Sequence, residues 1–311
     1  MRFNLLKVGL ILTLLTLLLG CSGVNNSSSS PTTENYRRGT QGIDMSFVNN
    51  APPNRVYEGN NLQVMVDVEN KGAYPQEGET FEGYLIFSGP TDAAVDVGSK
   101  QKSITSDLPG RRYSFPDGGR TTVTFEDPQV HVPGDAEKYE APILISSCYK
   151  YQTLATPTIC IDPNPYSTVK TVKACTVREN VALDGGQGGP VVVSRIEQFI
   201  TEDTATFRIT FRNAGSGTVF HNRAMPACID SDLEYNDVDR IAVHVSSPSL
   251  GNAQCDPDPN HVVLNNGRGY ITCKFDIGHI GGAAYTEQLR IVMDYGYSDY
   301  ISTSVDIINI E

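Results

Sequence analysis

The chain has 311 residues, with 36 acidic against 24 basic side chains and a formal net charge of −12. That balance argues against a nucleic-acid partner and against electrostatic docking on anionic lipid. A soluble body of this length exceeds a single typical domain, so two domains are expected.

The segment from Met1 to Gly20 reads as an export signal. Arg2 and Lys7 form a short basic start, and Val8 to Leu19 is an almost continuous apolar run. Such a run is too short to span a bilayer, which takes about 20 residues, so the segment is a secretory leader. Leu18-Leu19-Gly20-Cys21 closes it. A Cys directly after Leu-x-Gly resembles the lipobox of bacterial and some archaeal lipoproteins. That resemblance implies cleavage before Cys21, lipid on its side chain, and a protein anchored to the membrane on its extracytoplasmic side. Removing residues 1–20 leaves 22 Lys+Arg against 36 Asp+Glu, a net charge of −14. The acyl chains must therefore supply the attachment, and two or more hold stably.

Residues 21–42 are rich in Ser, Asn and Thr, with four serines and a proline at the centre. They have no apolar periodicity, so they read as a flexible stalk with a reach of roughly 25 Å. Asn25 and Asn26 both satisfy the N-glycosylation pattern.

From residue 43 onward, apolar residues alternate with polar ones and are interrupted by Gly, Pro and Asn, the signature of short strands. The pattern occurs twice. Leu62, Val64, Val66 and Val68, running into Asn70-x-Gly72, recur at an offset of 143 as Ala205, Phe207, Ile209 and Phe211 before Asn213-x-Gly215. Each glycine is expected to supply a positive φ at a turn. Ile143, Ile145, Tyr149, Tyr151, Ile159 and Ile161 recur at an offset of 146 as Leu289, Ile291, Tyr295, Tyr297, Val305 and Ile307. Gly119-Arg120 returns as Gly267-Arg268 at an offset of 148. A duplicated β unit follows. The expected fold is all-β, two tandem antiparallel sandwiches over residues 43–173 and 174–311.

Tyr139 and Tyr285 precede late strands and resemble the tyrosine corner of immunoglobulin-like domains. The Val-x-Asn-x-Gly strand, with Pro52 to Gly59 leading into it, is similar to CARDB-type and archaeal surface-layer-associated immunoglobulin-like modules. That resemblance covers a short stretch of the first copy and only the Asn-x-Gly strand of the second. It implies adhesion, scaffolding or envelope assembly and transfers no catalytic residues.

Setting Cys21 aside leaves Cys148, Cys160, Cys175, Cys228, Cys255 and Cys273. An even count in an exported chain reads as disulfides. Cys148 and Cys160 point away from the apolar faces of successive strands, which suggests a cross-strand bridge over a hairpin. Their counterparts in the second copy are Asp294 and Asp306, two carboxylates that would either repel or bind a cation if they met. Cys255 and Cys273 flank a short strand and turn and look like a local staple. Cys175 and Cys228 are then left to pair with each other.

Candidate chemistry is sparse. His131, His221, His244, His261 and His279 are scattered, and no nucleophile or metalloprotease motif accompanies them. Gly185 to Gly189 lacks the Lys-Ser/Thr ending of a phosphate loop and reads as a hinge or turn between the copies. Asp230, Asp232, Glu234, Asp237 and Asp239 crowd one short segment and are candidate calcium ligands, although they lack the glycine and closing Glu of a calcium loop. With no Trp in the chain, Tyr295, Tyr297 and Tyr300 are the candidate sugar platform. The sequence thus predicts a non-enzymatic, membrane-anchored surface lipoprotein that contacts unknown envelope or surface proteins. The alternative is a calcium- or glycan-binding one, with calcium the only cofactor in question.

Overall fold

The computed structural model describes residues 35–89, 94–105, 108–125, 128–164, 167, 172–257 and 261–310. The leader, Cys21 and most of the stalk lie outside this set. In the first copy the strands are β1 (Ile43–Phe47), β2 (Arg55–Tyr57), β3 (Val64–Asn70), β4 (Gly83–Phe87), β5 (Val95–Asp96), β6 (Gln101–Ser103), β7 (Arg120–Phe125), β8 (Gln129–Val130), β9 (Lys138–Ala155) and β10 (Thr158–Ile161). The second copy holds β11 (Asn180–Ala182), β12 (Val191–Ile200), β13 (Thr204–Asn213), β14 (Thr218–Phe220), a short helix α1 (Met225–Ile229) and β15 (Arg240–Ser247). It continues through β16 (Gly251–Asn252), β17 (Gln254–Asp256), β18 (His261–Val263), β19 (Arg268–Asp276), β20 (Tyr285–Gln288) and β21 (Arg290–Ile308).

The fold is an all-β sandwich. In β3 and β13, residues alternate strictly between buried and more exposed, as a pleated strand with one face on a core requires. The sheet β1-β3-β7 of the first copy corresponds strand for strand to β12-β13-β19 of the second, where β11 and β17 add one strand at each edge. Both sheets contribute side chains to one apolar core with the strands of a nine-stranded sheet. Phe87 of that larger sheet meets Phe125 of β7 edge-on, with centroids 5.6 Å apart.

The nine-stranded sheet spans both copies because β9 and β21 pair antiparallel along nearly their whole length, from Ile291 opposite Ala155 to Ile308 opposite Lys138. Their register places Tyr149 opposite Tyr297 and Tyr151 opposite Tyr295. Since Tyr149 corresponds to Tyr295 and Tyr151 to Tyr297, each tyrosine faces the counterpart of its neighbour. This is the relation of a symmetric dimer interface, in which the same patch pairs with itself, built here within one chain.

All four tyrosines are buried, and their hydroxyls tie the two layers together. Ile43 N–H donates to Tyr149 Oη at 3.3 Å, and the corresponding Val191 N–H donates to Tyr295 Oη at 3.3 Å. Tyr74 N–H donates to Tyr151 Oη at 3.4 Å, and Gly217 N–H to Tyr297 Oη at 2.7 Å. The sequence pointed instead to Tyr139 and Tyr285 as corner residues. It is the tyrosines on the inner face of β9 and β21 that reach the backbone of the opposite layer.

The Asn-x-Gly turns form in both copies. Gly72 N–H donates to Asn70 Oδ1 at 3.1 Å and Gly215 N–H to Asn213 Oδ1 at 3.2 Å, while the Asn70 and Asn213 amides donate to Tyr74 O and Gly217 O at 2.7 and 2.9 Å. Neither glycine has a positive φ. Glycine is required for a different reason: a Cβ on Gly72 would overlap the Tyr151 hydroxyl, and one on Gly215 the Tyr297 hydroxyl.

Three disulfides close, and two of the expected pairings are corrected. Cys255 pairs with Cys273, directly opposite it across β17 and β19. Cys148 pairs with Cys228 rather than Cys160, and Cys160 pairs with Cys175. Cys148 does face away from the main core, but β10 does not return along β9; it pairs with β20. Cys148 lies under α1, where it forms a small outer core with Ile86, Phe220, Met225 and Cys228.

Candidate functional site

The residues singled out from the sequence do not assemble into one centre. Asp294 accepts a hydrogen bond from Gln152 Nε2 at 2.8 Å, and Asp306 pairs with Lys138 at 2.7 Å. The two aspartates lie near opposite ends of β21, about 40 Å apart along the strand, so they cannot share a cation. Asp230 follows α1 as its C-cap, and Asp237 Oδ2 accepts the Glu234 N–H at 3.2 Å, so it serves its own turn. Burial raises the Asp239 carboxyl above its usual range. Among the described residues, no three His, Cys, Asp or Glu are placed to hold a metal ion. The tyrosine platform is also corrected. Tyr295 and Tyr297 belong to the core, and only Tyr300 of that group is exposed.

The glycine-rich segment turns sharply, with positive φ at Gly185, Gly186 and Gly188, but it is no free hinge. Gly39 N–H donates to Gly185 O at 2.7 Å, Gly188 N–H to Gly39 O at 2.9 Å, and Tyr151 Oη to Gly188 O at 3.2 Å.

Two histidines that are remote in sequence do meet. His221 Nε2 and His261 Nε2 lie 3.2 Å apart, and His221 Nδ1 accepts the Arg223 N–H at 3.1 Å. Because Nδ1 is an acceptor, the proton of neutral His221 sits on Nε2 and is donated to His261. Burial and the neighbouring His261 lower the His221 pKa. The pair closes the loop before α1 against β18.

A polar cleft lies elsewhere, beside the end of β12. It is a cleft of about 810 Å³ lined by Asp162, Lys173, Glu179, Glu197, Gln198 and Phe199, among others. Its floor is fixed by an ion pair, Lys173 Nζ to Asp162 Oδ2 at 2.5 Å, in which Asp162 is almost fully buried. The Cys160–Cys175 disulfide anchors the two chain segments that frame it. Gln198 is 3% exposed. Its Nε2 donates to Arg178 O at 2.7 Å, while its Oε1 is buried without a hydrogen-bond partner. A smaller cleft of about 380 Å³ also borders Gln198. Phe199, the next residue, faces the other way and is 60% exposed at the rim.

Sequence reasoning missed this site, although one signal was present. In Ile196-x-Gln198-x-Ile200 a glutamine occupies an apolar position of an alternating strand, where a polar side chain has to be satisfied.

No protein-family profile matches the chain, and no curated protein matches it. Among solved structures, the C-terminal domain of the BspA AgI/II polypeptide of Streptococcus agalactiae aligns over 86% of this chain and 100% of its own, at 8% identity and a TM-score of 0.15. A second structure of that domain covers 83% and 96%, at 8% identity and a TM-score of 0.13. Similarity at that level carries no argument about fold or role.

Proposed function

We propose that this protein is an exported, lipid-anchored surface protein that works by contact rather than by catalysis, as an adhesion, scaffold or envelope-assembly module. The observation that carries the reading is the use of its cysteines. Every cysteine after residue 21 is closed in a disulfide, the chemistry of an oxidising compartment, which leaves Cys21 at the end of the apolar leader for lipid. Open strand edges support the contact role. In the second copy β17 covers the outer edge of β19, whereas among the described residues no strand covers the equivalent edge of β7. Uncovered edges are sites for strand addition.

Mass spectrometry of the N-terminal peptide tests the anchor: a lipid-modified Cys21 is expected. A Cys21→Ala chain should leave the membrane fraction for the medium, and one that stays in the membrane would overturn the anchor. Cross-linking on intact cells tests the contact role, with a discrete partner band expected and only monomer counting against it.

A further inference from the structure

The outer face of the second copy's smaller sheet is out of character with the rest of the chain. Strands β12, β13 and β19 turn alternate residues into the core, and their register sets the others side by side on the solvent side. There Arg212 stands opposite Arg268, Arg195 opposite Thr210, and Lys274 opposite Thr206. Arg208, on the middle strand, lays its guanidinium over the Tyr270 ring, 4.0 Å from the centroid. Tyr270 is 55% exposed, and Phe199 on the same face is 60% exposed.

Glu197 meets Arg195 at 3.5 Å and Arg208 at 3.9 Å. The other two carboxylates sit at the margin, Asp256 on the edge strand β17 and Asp276 at the end of β19. Arg212, Arg268 and Lys274 have no ion-pair partner among the described residues. Five cations against three carboxylates give this face a net charge of +2, in a chain whose net charge is −12. The scaffold does not require the cations. In the first copy Met65, Asp67 and Glu69 stand where the second has Arg208, Thr210 and Arg212, and Thr122 stands where it has Tyr270.

Free guanidinium groups beside aromatic rings suit a partner that brings carboxylates and a ring of its own. The chain itself carries such a segment. Past α1, Asp230, Asp232 and Glu234 are exposed with no ion-pair partner among the described residues, and the adjoining Tyr235 is 86% exposed. The segment is held in place. Cys228 is bridged to Cys148, Leu233 packs on the small outer core, and Asp232 N–H donates to Ala227 O at 2.7 Å. Little conformational freedom is then lost on docking. This loop lies on the outside of the nine-stranded sheet, and the basic face is the outside of the opposite layer. The two outer faces of one sandwich cannot meet each other. Those of two molecules can.

We propose that the basic face receives the loop at residues 230–235 of another molecule of this chain. The loop carboxylates pair with Arg212, Arg268 and Lys274, and Tyr235 lies among the arginines. Because the two patches differ, each joined molecule still presents a free loop and a free face, so association continues into rows. The proposal rests on the reading of the protein as a contact module and names its partner. The face is four strands wide, roughly 15 Å, the scale of a weak contact, which crowding of copies on one surface strengthens.

The test couples the chain beginning at Cys21, whose other cysteines are closed, to neutral phosphatidylcholine vesicles through a maleimide lipid. A zero-length carbodiimide cross-linker is then added. An amide between Lys274 and Asp232 or Glu234 of a neighbour is expected, in a ladder that extends past the dimer and fades as salt rises. Arg212→Glu with Arg268→Glu should reduce the ladder at least about tenfold, since like charges then face one another. Asp232→Arg with Glu234→Arg should do the same. Mixed on one vesicle, the two variants should restore a dimer cross-linked at Lys274, because the intact loop of one meets the intact face of the other. All four positions are exposed, so both variants should melt with the parent chain. No ladder, a ladder indifferent to either charge reversal, or no recovery on mixing would overturn the proposal. Dextran sulfate binding that Arg212→Glu with Arg268→Glu abolishes, in the absence of a ladder, would reassign the face to anionic glycans. Failure here with a foreign partner still cross-linked on intact cells rejects the self-contact alone. Loss of both rejects the contact reading as well.

Discussion

Lys150 pairs with Gly296 at the one position of the β9–β21 register where a residue meets its own counterpart from the other copy. The local two-fold relation between the copies passes through this pair, with the four core tyrosines on either side. Equivalence ends at the outer face. Lys150 reaches out to Glu82 at 2.8 Å, whereas Gly296 leaves space that the Phe220 ring fills, so that any Cβ there would overlap it. The bare backbone at Gly296 is what lets β14 and α1 close over the centre of the sheet.

The Asn-x-Gly turns give an ordered pair of substitutions. Gly72→Ala forces a methyl group onto the fully buried Tyr151 hydroxyl, with backbone close on both other sides. Gly215→Ala meets the less enclosed Tyr297. Overpacking of this kind costs about 1–3 kcal/mol, so Gly72→Ala should lie at or above the top of that range and Gly215→Ala near the bottom. Urea unfolding measures both. Adding Tyr297→Phe to Gly215→Ala should recover part of the loss, because the clashing oxygen is then gone.

Alkaline pH should unfold the protein through its core tyrosines. Burial raises all four phenols above their ordinary value, Tyr297 to about 12. The unfolded chain ionises first, at about 10, so the stability these groups contribute is complete below about pH 10 and is lost as pH rises above it. Ultraviolet titration should show part of the 15-tyrosine signal appearing only together with loss of the near-ultraviolet circular dichroism. A smooth titration of every tyrosine in the folded state would contradict the burial.

Mild acid should loosen the loop before α1. His221 has a lowered pKa because it is partly buried, faces His261 and lies near Arg223 and Arg240, with Asp237 opposing weakly. The unfolded state therefore takes up the proton first. Stability is full above about pH 6.5 and falls as pH drops below it. His221→Asn keeps a side-chain cap for the Arg223 N–H and should flatten the dependence of the urea midpoint on pH from neutral down to mild acid. An unchanged slope would assign the effect to other groups.

The disulfides should rank by the loop each closes. Cys148–Cys228 has a sequence separation of 80, and Cys255–Cys273 only 18. Loop entropy gives about 4.5 and about 3 kcal/mol respectively. Replacing Cys148 and Cys228 with Ser also exposes the small core under α1, so this double variant should melt well below the Cys255/Cys273 one in a thermal scan.

The strands and the oxidised state of the cysteines were legible in the residues, because each rests on local information: a period of two, a count. The same locality explains the errors. Cys148 and Cys160 look like hairpin partners only while the next strand is assumed to turn back, and Gly72 looks like a turn glycine only while its neighbours along the chain are considered. What overrides both is contact between distant segments. Tyr151 arrives at Gly72 from the far layer of the sandwich, and Cys228 reaches Cys148 from the other copy. Likewise, alternation along β12 does not locate the cleft, which only the arrangement of the chain around Asp162, Lys173 and Asn180 beside β12 creates. By itself, then, the sequence determined the all-β class and the oxidised state of the cysteines. The tertiary structure decided how the copies join, which cysteines pair and where the cleft lies, since strand pairing and packing are set by surfaces that meet only once the chain has folded.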